Sequence, residues 1–246
     1  MTNYKFLNEV WALIPARSGS KRIKNKNLKK INNLSLVARA IINCGKSKEI
    51  KRIFLSTDSI KIGREGKKYG AEVPFLRSKK NSNDKSNDFD VIKEFLTKIN
   101  MLEKQIPKYL IYIRPTTPIR ENKIINKAIK QFKSLKNYDS LISVHEMNEP
   151  VHKKFFIKKK KLKPILKSMT LDQANNPRQN FAKSYTANGY LDIINTKNII
   201  FKKNYLGRSS FPFVTKNSID IDDNLDLEIV KLLINKNIYV QNYKQR

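Results

Sequence analysis

Asp220 and Asp222 alternate with Ile219 and Ile221 in the stretch "SIDIDDNLDLEIV" (218–230). A strand of that period places both carboxylates on one face. Mg²⁺ prefers oxygen ligands and takes one or two carboxylates from protein when phosphates complete its shell, so the pair is a candidate magnesium site. The competing reading has Asp222, Asp223 or Asn224 capping the helix that follows, with Asp220 in water. Both can hold at once. A second stretch, "IPARSGSKRIKNKN" (14–27), follows an apolar run with a dense positive loop. Backbone N–H groups around Ser18, Gly19 and Ser20 are suited to phosphate oxygens, because small residues leave a turn exposed. Arg17, Lys21, Arg22, Lys24 and Lys26 add charge. Neither the Walker spacing nor the dinucleotide spacing of glycines is present here. Composition alone leaves a phosphate site and a solvated loop as equal readings. Arg178, in "NNPRQNFAKSYTANGYLDI" (175–193), carries a planar fork that suits a carboxylate, although a surface ion pair would use it as well. "YIRPTTPIR" (112–120) is a proline-stiffened loop with the hydroxyls of Thr116 and Thr117.

The elements that must position these residues alternate in kind. Strand-like runs at 10–16, 52–58, 108–115 and 139–147 are separated by helical patterns at 35–47, 59–70, 90–102 and 121–135, with a short extended piece at 71–77. Gly70 is placed to end its helix. This order predicts an α/β fold with mostly parallel strands and helices on both faces. Ligands of such sheets bind at the carboxyl ends of the strands, where the positive loop, Ser56–Thr57–Asp58 and the proline loop should converge. The rhythm changes at 147–187. There, 152–166 reads as two short strands around a lysine turn and 168–185 as irregular chain. Strands at 188–194 and 209–215 and a closing helix at 224–236 restore the alternation. The expectation is a single domain over 1–246 with an inserted excursion at 147–187.

The chain has 51 basic and 21 acidic residues in 246, a net charge of +30. Nucleic acid, an anionic membrane surface or a small polyanion could account for that excess. So could lysine-rich drift, since Asn and Ile are abundant too. Cys44 is the single cysteine, which excludes an internal disulfide. His145 and His152 lack cysteine partners at zinc spacing. The first nine residues lack the apolar stretch of a signal peptide, and no run is apolar enough to span a membrane. A soluble, cytoplasmic protein is expected.

Taken together and in order, the motifs resemble those of the acylneuraminate cytidylyltransferases, the CMP–sialic acid synthetases. Their opening pattern IPAR-x-x-S-K-x-x-x-x-K-N matches with Arg17, Ser20, Lys21, Lys26 and Asn27 in register. Ser56–Asp58, "YGAEVPFLR" with Arg77 and the following Asp84, "RPTTPIR", "PRQNFAKSYTANGYLDI" and "IDIDDNLDL" match later blocks, so the likeness covers nearly the whole chain. The resemblance implies a Rossmann-like fold of the nucleotide-diphospho-sugar transferase type. It also implies transfer of CMP from CTP to the anomeric hydroxyl of a nine-carbon 2-keto acid sugar, with pyrophosphate released and Mg²⁺ as cofactor. Arg17, Lys21 and Lys26 would act on the triphosphate in catalysis. Ser20, Asn27, Arg77 and Asp84 would complete the nucleotide site, and Asp220 and Asp222 would hold the metal. Arg114, Lys153, Arg178, Gln179, Tyr185 and Asn188 would face the sugar. The excursion would be a dimerisation subdomain, making the protein a homodimer with sugar contacts shared between subunits.

The sequence departs from the pattern in places. Lys24 stands where the family often has proline, and Arg114 where well-known sialic acid enzymes carry Gln. Either His152, Lys153 or Lys154 fills a family lysine position in "EPVHKK". The expected sugar is therefore N-acetylneuraminate or a legionaminate-, pseudaminate- or amino-nonulosonate-like relative. A CMP-Kdo synthetase-like enzyme is the alternative within the fold, and an inactive relative is a further one. A basic nucleic-acid-binding protein is the alternative of another class, with "HKKFFIKKKKLK" its best segment. That segment reads more simply as a hairpin, so neither a specific nucleic acid nor a membrane is expected as partner.

Overall fold

The structure is a computed structural model and describes residues 3–236. In chain order the strands are β1 (Lys5–Pro15), β2 (Lys30–Ile31), β3 (Leu34–Ser35), β4 (Ile50–Ser56), β5 (Gln105–Tyr112), β6 (Ser140–Glu146), β7 (Phe155–Lys158), β8 (Lys161–Pro164), β9 (Tyr185–Asn195) and β10 (Ser210–Val214). The α-helices are α1 (Leu36–Gly45), α2 (Ile60–Lys68), α3 (Asp88–Glu103), α4 (Asn122–Ser134), α5 (Leu171–Asn175) and α6 (Asn224–Asn235). Six strands form one sheet in the order β10-β6-β9-β5-β1-β4. β1 pairs in parallel with β4 and β5, and β10 pairs in parallel with β6. β9 runs antiparallel between β5 and β6. The sheet is thus mostly parallel, as expected, with one reversed strand that apolar patterning does not reveal.

The period of two along β1 explains its place at the centre. Val10, Ala12 and Ile14 enter the core beneath α1, α2 and α4. Trp11 and Leu13 enter the opposite core with Ile92, Phe95, Leu96 and Ile99 of α3. Helices therefore cover both faces. Their starts are fixed by side-chain caps: Ser35 accepts from the Ala38 N–H at 3.1 Å, and Asn87 from the Asp90 N–H at 2.8 Å. Gly70, at φ +94°, follows α2 as the sequence predicts. A third apolar cluster joins α6 through Leu227 and Val230 to Ile23, Ile31, Leu36, Ile119 and Ile221.

The last β6–β9 pair is Glu146 with Tyr185, so the excursion leaves and returns at adjacent strand ends. β7 and β8 form the expected hairpin around Lys159 and Lys160, both left-handed at φ 50° and 62°. The segment read as irregular holds a short helix, α5. Thr170 and Gln173 close a capping box at its start, with the Gln173 amide oxygen accepting from the Thr170 N–H. One expectation is corrected by geometry. Residues 218–222 form no strand. Ile221 is buried and its N–H bonds the Thr116 carbonyl at 2.8 Å, while Asp220 and Asp222 are exposed. The alternation is right, but the segment is extended chain laid over the proline loop. Asp223, not Asp222, caps α6, with Asp226 completing a capping box. Among the described residues no helix is long and apolar enough to cross a membrane.

Candidate active site

A cavity of about 580 Å³ opens beyond the ends of β1 and β5. Its walls come from the loop after β1, from the chain between Arg77 and Val91, from Tyr112–Thr116 and from Asp222. Arg17, Ser20, Lys21, Lys26, Asn27, Arg77 and Asp84, the residues expected at the nucleotide, all line it, and so do Arg114, expected at the sugar, and Asp222, expected at the metal.

The loop after β1 keeps its shape because its middle is buried. Ile23 is in the third apolar cluster, and the Asn27 Nδ2 donates to the Arg17 carbonyl at 2.9 Å. Asn27 Oδ1 is buried without a partner among the described residues, an acceptor left for a ligand donor. Asp58, at the end of β4, accepts from both the N–H and the hydroxyl of Ser18, at 2.8 and 2.7 Å. The Ser20 N–H donates to the Ser18 carbonyl at 2.9 Å. Two of the three backbone donors that the sequence offered to phosphate are therefore used within the protein. The side-chain cations carry the positive charge instead.

Those cations are held by carboxylates from distant segments. Asp84 pairs with Arg17 at 2.7 Å and with Lys21. Asp222 stands 3.5 Å from Lys26 and 3.7 Å from Arg22. Lys26 also donates to the Ile221 carbonyl at 2.6 Å. The hydrogen bond from Lys21, with that from Arg17, holds the Asp84 carboxyl below the usual aspartate range despite its partial desolvation. Two carboxylates thus pair with four cations at the cavity, an arrangement that a polyphosphate can exchange into.

Arg77 is buried at the cavity edge, its N–H on the Thr57 carbonyl at 2.8 Å and its Nε on Ser82 Oγ at 3.1 Å. Burial lowers its pKa. Arg114 is gripped by Asp88 and Asp192 at 2.6 and 2.8 Å. The proline loop is locked by Arg120, which sequence reasoning missed. Its guanidinium donates to the carbonyls of Tyr190 (2.6 Å), Arg114 (2.7 Å), Gly189 (3.0 Å) and Thr117. Burial pushes Arg120 down to about 10, so it remains charged at neutral pH. Gly189, at φ +67°, is where β9 passes the loop: a Cβ there would lie 3.0 Å from Thr117 Oγ1.

The remaining predicted residues do not line the cavity. Lys153 donates to the carbonyls of Asn175 and Asn176, at 3.3 and 2.8 Å. Arg178 donates to the Asn148 carbonyl at 2.9 Å and lies 3.9 Å from Glu146. Gln179 and Tyr185 are exposed on the excursion and at the start of β9. Asn188 is buried, with Nδ2 on Thr215 Oγ1 at 2.6 Å. Asp220 accepts from Thr117 Oγ1 at 3.3 Å. Asp88 and Asp192 were also missed: they flank recognised motifs but follow no metal, nucleophile or phosphate pattern.

Among the described residues no group of three or more His, Cys, Asp or Glu is placed to hold a metal. The carboxylates lining the cavity are Asp84, Asp88 and Asp222, with Asp220 close to Asp222 in the chain. That oxygen-only, ligand-poor set fits magnesium completed by substrate phosphates, and no metal that demands a full protein cage.

A mostly parallel sheet covered on both faces, with a cation-lined cavity at its strand ends, is the arrangement by which α/β folds bind phosphorylated ligands. The chain superposes on the solved CMP:2-keto-3-deoxy-manno-octonic acid synthetase, itself complexed with CTP, with a TM-score of 0.68 over 93% of this chain and 99% of that one, at 13% identity. The family pattern described as Cytidylyltransferase matches residues 11–242, and the chain belongs to that family. It is 30% identical over 223 residues to the N-acylneuraminate cytidylyltransferase of Escherichia coli O18:K1:H7, covering 90% of this chain and 51% of that protein. It therefore spans about half the length of that relative. It is 32% identical over 229 residues to the CMP-N,N'-diacetyllegionaminic acid synthase of Campylobacter jejuni, covering 92% of this chain and 95% of that one.

Proposed function

We propose that this protein transfers CMP from CTP to the anomeric hydroxyl of a nonulosonic acid and releases pyrophosphate. The observation that carries the reading is the set of four loop cations around the cavity, each exchangeable from Asp84 or Asp222 to a triphosphate. Arg17, Lys21 and Lys26 would hold the phosphates and offset the charge that gathers on the leaving pyrophosphate. Asn27, with its unpaired Oδ1, and Arg77 would fix the nucleoside. Asp222, with Asp220, would hold Mg²⁺. When bound, the metal would polarise the phosphoryl oxygens and stabilise the leaving group. The relatives named for sialic and legionaminic acids support a nine-carbon acid as acceptor.

Dimerisation belongs to the same reading. Phe156, Ile157, Leu162 and Ile165 stand exposed on and beside the β7–β8 hairpin, an apolar surface suited to a second copy of the chain. Lys153, Arg178, Gln179 and Tyr185 would then meet sugar at a site shared between protomers. A cytoplasmic setting follows from the use of CTP.

The test is pyrophosphate release from CTP and Mg²⁺ with N-acetylneuraminate, N,N'-diacetyllegionaminate, pseudaminate and Kdo, against ATP, GTP and UTP. Turnover with CTP and a nine-carbon acid is expected. Turnover with Kdo alone would move the protein to the eight-carbon branch. An absence of CTP binding would overturn the reading and leave the +30 charge as the feature to explain.

A further inference from the structure

Asp88, Tyr112 and Arg114 line one stretch of the cavity, with Asp192 and Tyr205 bonded behind them. Arg114 donates from Nη2 to Asp88 Oδ2 at 2.6 Å and from Nη1 to Asp192 Oδ2 at 2.8 Å. The Tyr112 hydroxyl donates to Asp88 Oδ1 at 2.9 Å, and the Tyr205 hydroxyl to Asp192 Oδ2 at 2.7 Å. The Arg114 guanidinium also lies 5.1 Å from the centre of the Tyr112 ring. Two carboxylates and one guanidinium give this wall a net charge of about −1 by formal count. The two acids are not equivalent. The Asp192 side chain is 6% exposed, whereas that of Asp88 is 38% exposed. A ligand therefore meets Asp88, while Arg114 has a carboxylate on each terminal nitrogen.

An anionic group brought to this wall would have to take Arg114 from Asp88, although Asp192 already holds that guanidinium from behind, or face the Asp88 carboxylate directly. An uncharged donor would find an acceptor already aimed by Tyr112. Burial opposes the charge on Arg114, but Asp192, Tyr205 and Asp88 outweigh it and hold the guanidinium ionised.

We propose that the acceptor sugar is bound against this wall and that Asp88 is a specificity-determining residue for it: it accepts a hydrogen bond from an uncharged donor on the sugar, a hydroxyl or an acylamino N–H, and keeps the sugar's own carboxylate away from Arg114. Arg114 is then a brace for Asp88 rather than the receptor of the acid. The inference rests on the sugar-transfer reading above and refines it.

The experiment is steady-state pyrophosphate release by the full chain and its Asp88→Asn variant, with CTP and whichever acid of the panel is turned over fastest. The variant keeps the shape of the side chain and removes its charge. The expected result is a sugar KM raised about tenfold with the CTP KM changed less than about twofold, the loss of one charge-assisted hydrogen bond. If Arg114 instead receives the sugar carboxylate, freeing it from Asp88 lowers the sugar KM, and the proposal is overturned. Unchanged KM values for both substrates would make the cluster a structural brace only, and a shift confined to CTP would place Asp88 at the nucleotide; either overturns it. Tyr112→Phe removes the hydroxyl that aims Asp88 and should raise the sugar KM in the same direction but less. It carries the test if Asp88→Asn fails to fold by thermal melting. No turnover of any acid by the unsubstituted chain would remove the sugar-transfer reading and this inference together, whereas the preceding outcomes remove the inference alone.

Discussion

Asp220 and Asp222 are two residues apart, yet their surroundings differ. Asp222 lines the cavity beside Lys26 and Arg22, while Asp220 rests against Thr117. Replacing Asp222 with Ala should lower Mg²⁺-dependent turnover more than about 100-fold, since it removes the carboxylate proposed to hold the metal. Asp220→Ala should cost less, and the double variant should abolish turnover with its melting transition intact. Turnover by both single variants and the double, measured across a magnesium titration, checks the order. A double variant that still turns over would show that the metal is held elsewhere. The residue scale is also where the sequence was most informative. Basic residues crowding one loop single out Arg17, Lys21 and Lys26, and the resemblance of their blocks singles out Asn27, Arg77 and Asp84, all of which line the cavity. Asp88 and Asp192 are not singled out, because what marks them is the Arg114 guanidinium, which reaches them from the chain after β5. Such pairings are long-range and leave no local pattern.

At the scale of elements, the chain between Arg77 and α3 depends on one carboxylate. Glu94, on α3, accepts from the Ser78 N–H and hydroxyl at 2.8 and 2.7 Å, from Asn81 Nδ2 at 2.6 Å and from Lys98 at 2.6 Å. Burial raises its pKa, but these donors outweigh that and bring it to about 2, from 4.5 for an ordinary glutamate. The clamp is fully present above pH 4.5 and is lost as pH falls towards 2. Glu94→Gln should therefore destabilise the protein by about 1–2 kcal/mol near neutral pH, after discounting for solvent screening. The gap between variant and parent should close as pH falls below about 4.5. Urea unfolding at several pH values measures it, and a gap independent of pH would show that the carboxylate charge is not what holds the loop. Elements themselves were largely legible. The strand and helix periods placed β1, α1, β4, α2, α3, β5, α4 and β6 within a few residues, since each buries an apolar face of regular spacing. The direction of β9 was not legible, because a strand buried on both faces looks the same in either direction. Nor was α5, whose five residues are too few for a helical period to emerge.

For the whole molecule, the charge excess and the active cavity are separate matters. Arg17, Lys21, Arg22 and Lys26 are each paired with a carboxylate, so most of the +30 resides elsewhere on the surface. The assembled protein should be a dimer through the excursion. Ile157, 78% exposed near the hairpin tip, is its sharpest test. Ile157→Asp should shift sedimentation from dimer to monomer without lowering the melting transition of the sheet domain by more than about 0.5 kcal/mol in stability. A dimer that survives this change would place the interface elsewhere. The geometry by which the excursion is attached has a broader consequence. It departs from β6 and re-enters at β9, whose ends are already joined through Glu146 and Tyr185. Chain inserted between two points held together adds little closure entropy as it lengthens. The junction therefore works as a socket. What hangs from it can be lengthened or rebuilt at little cost to closing the sheet, and the cation loop and its cavity stand on other segments of the chain.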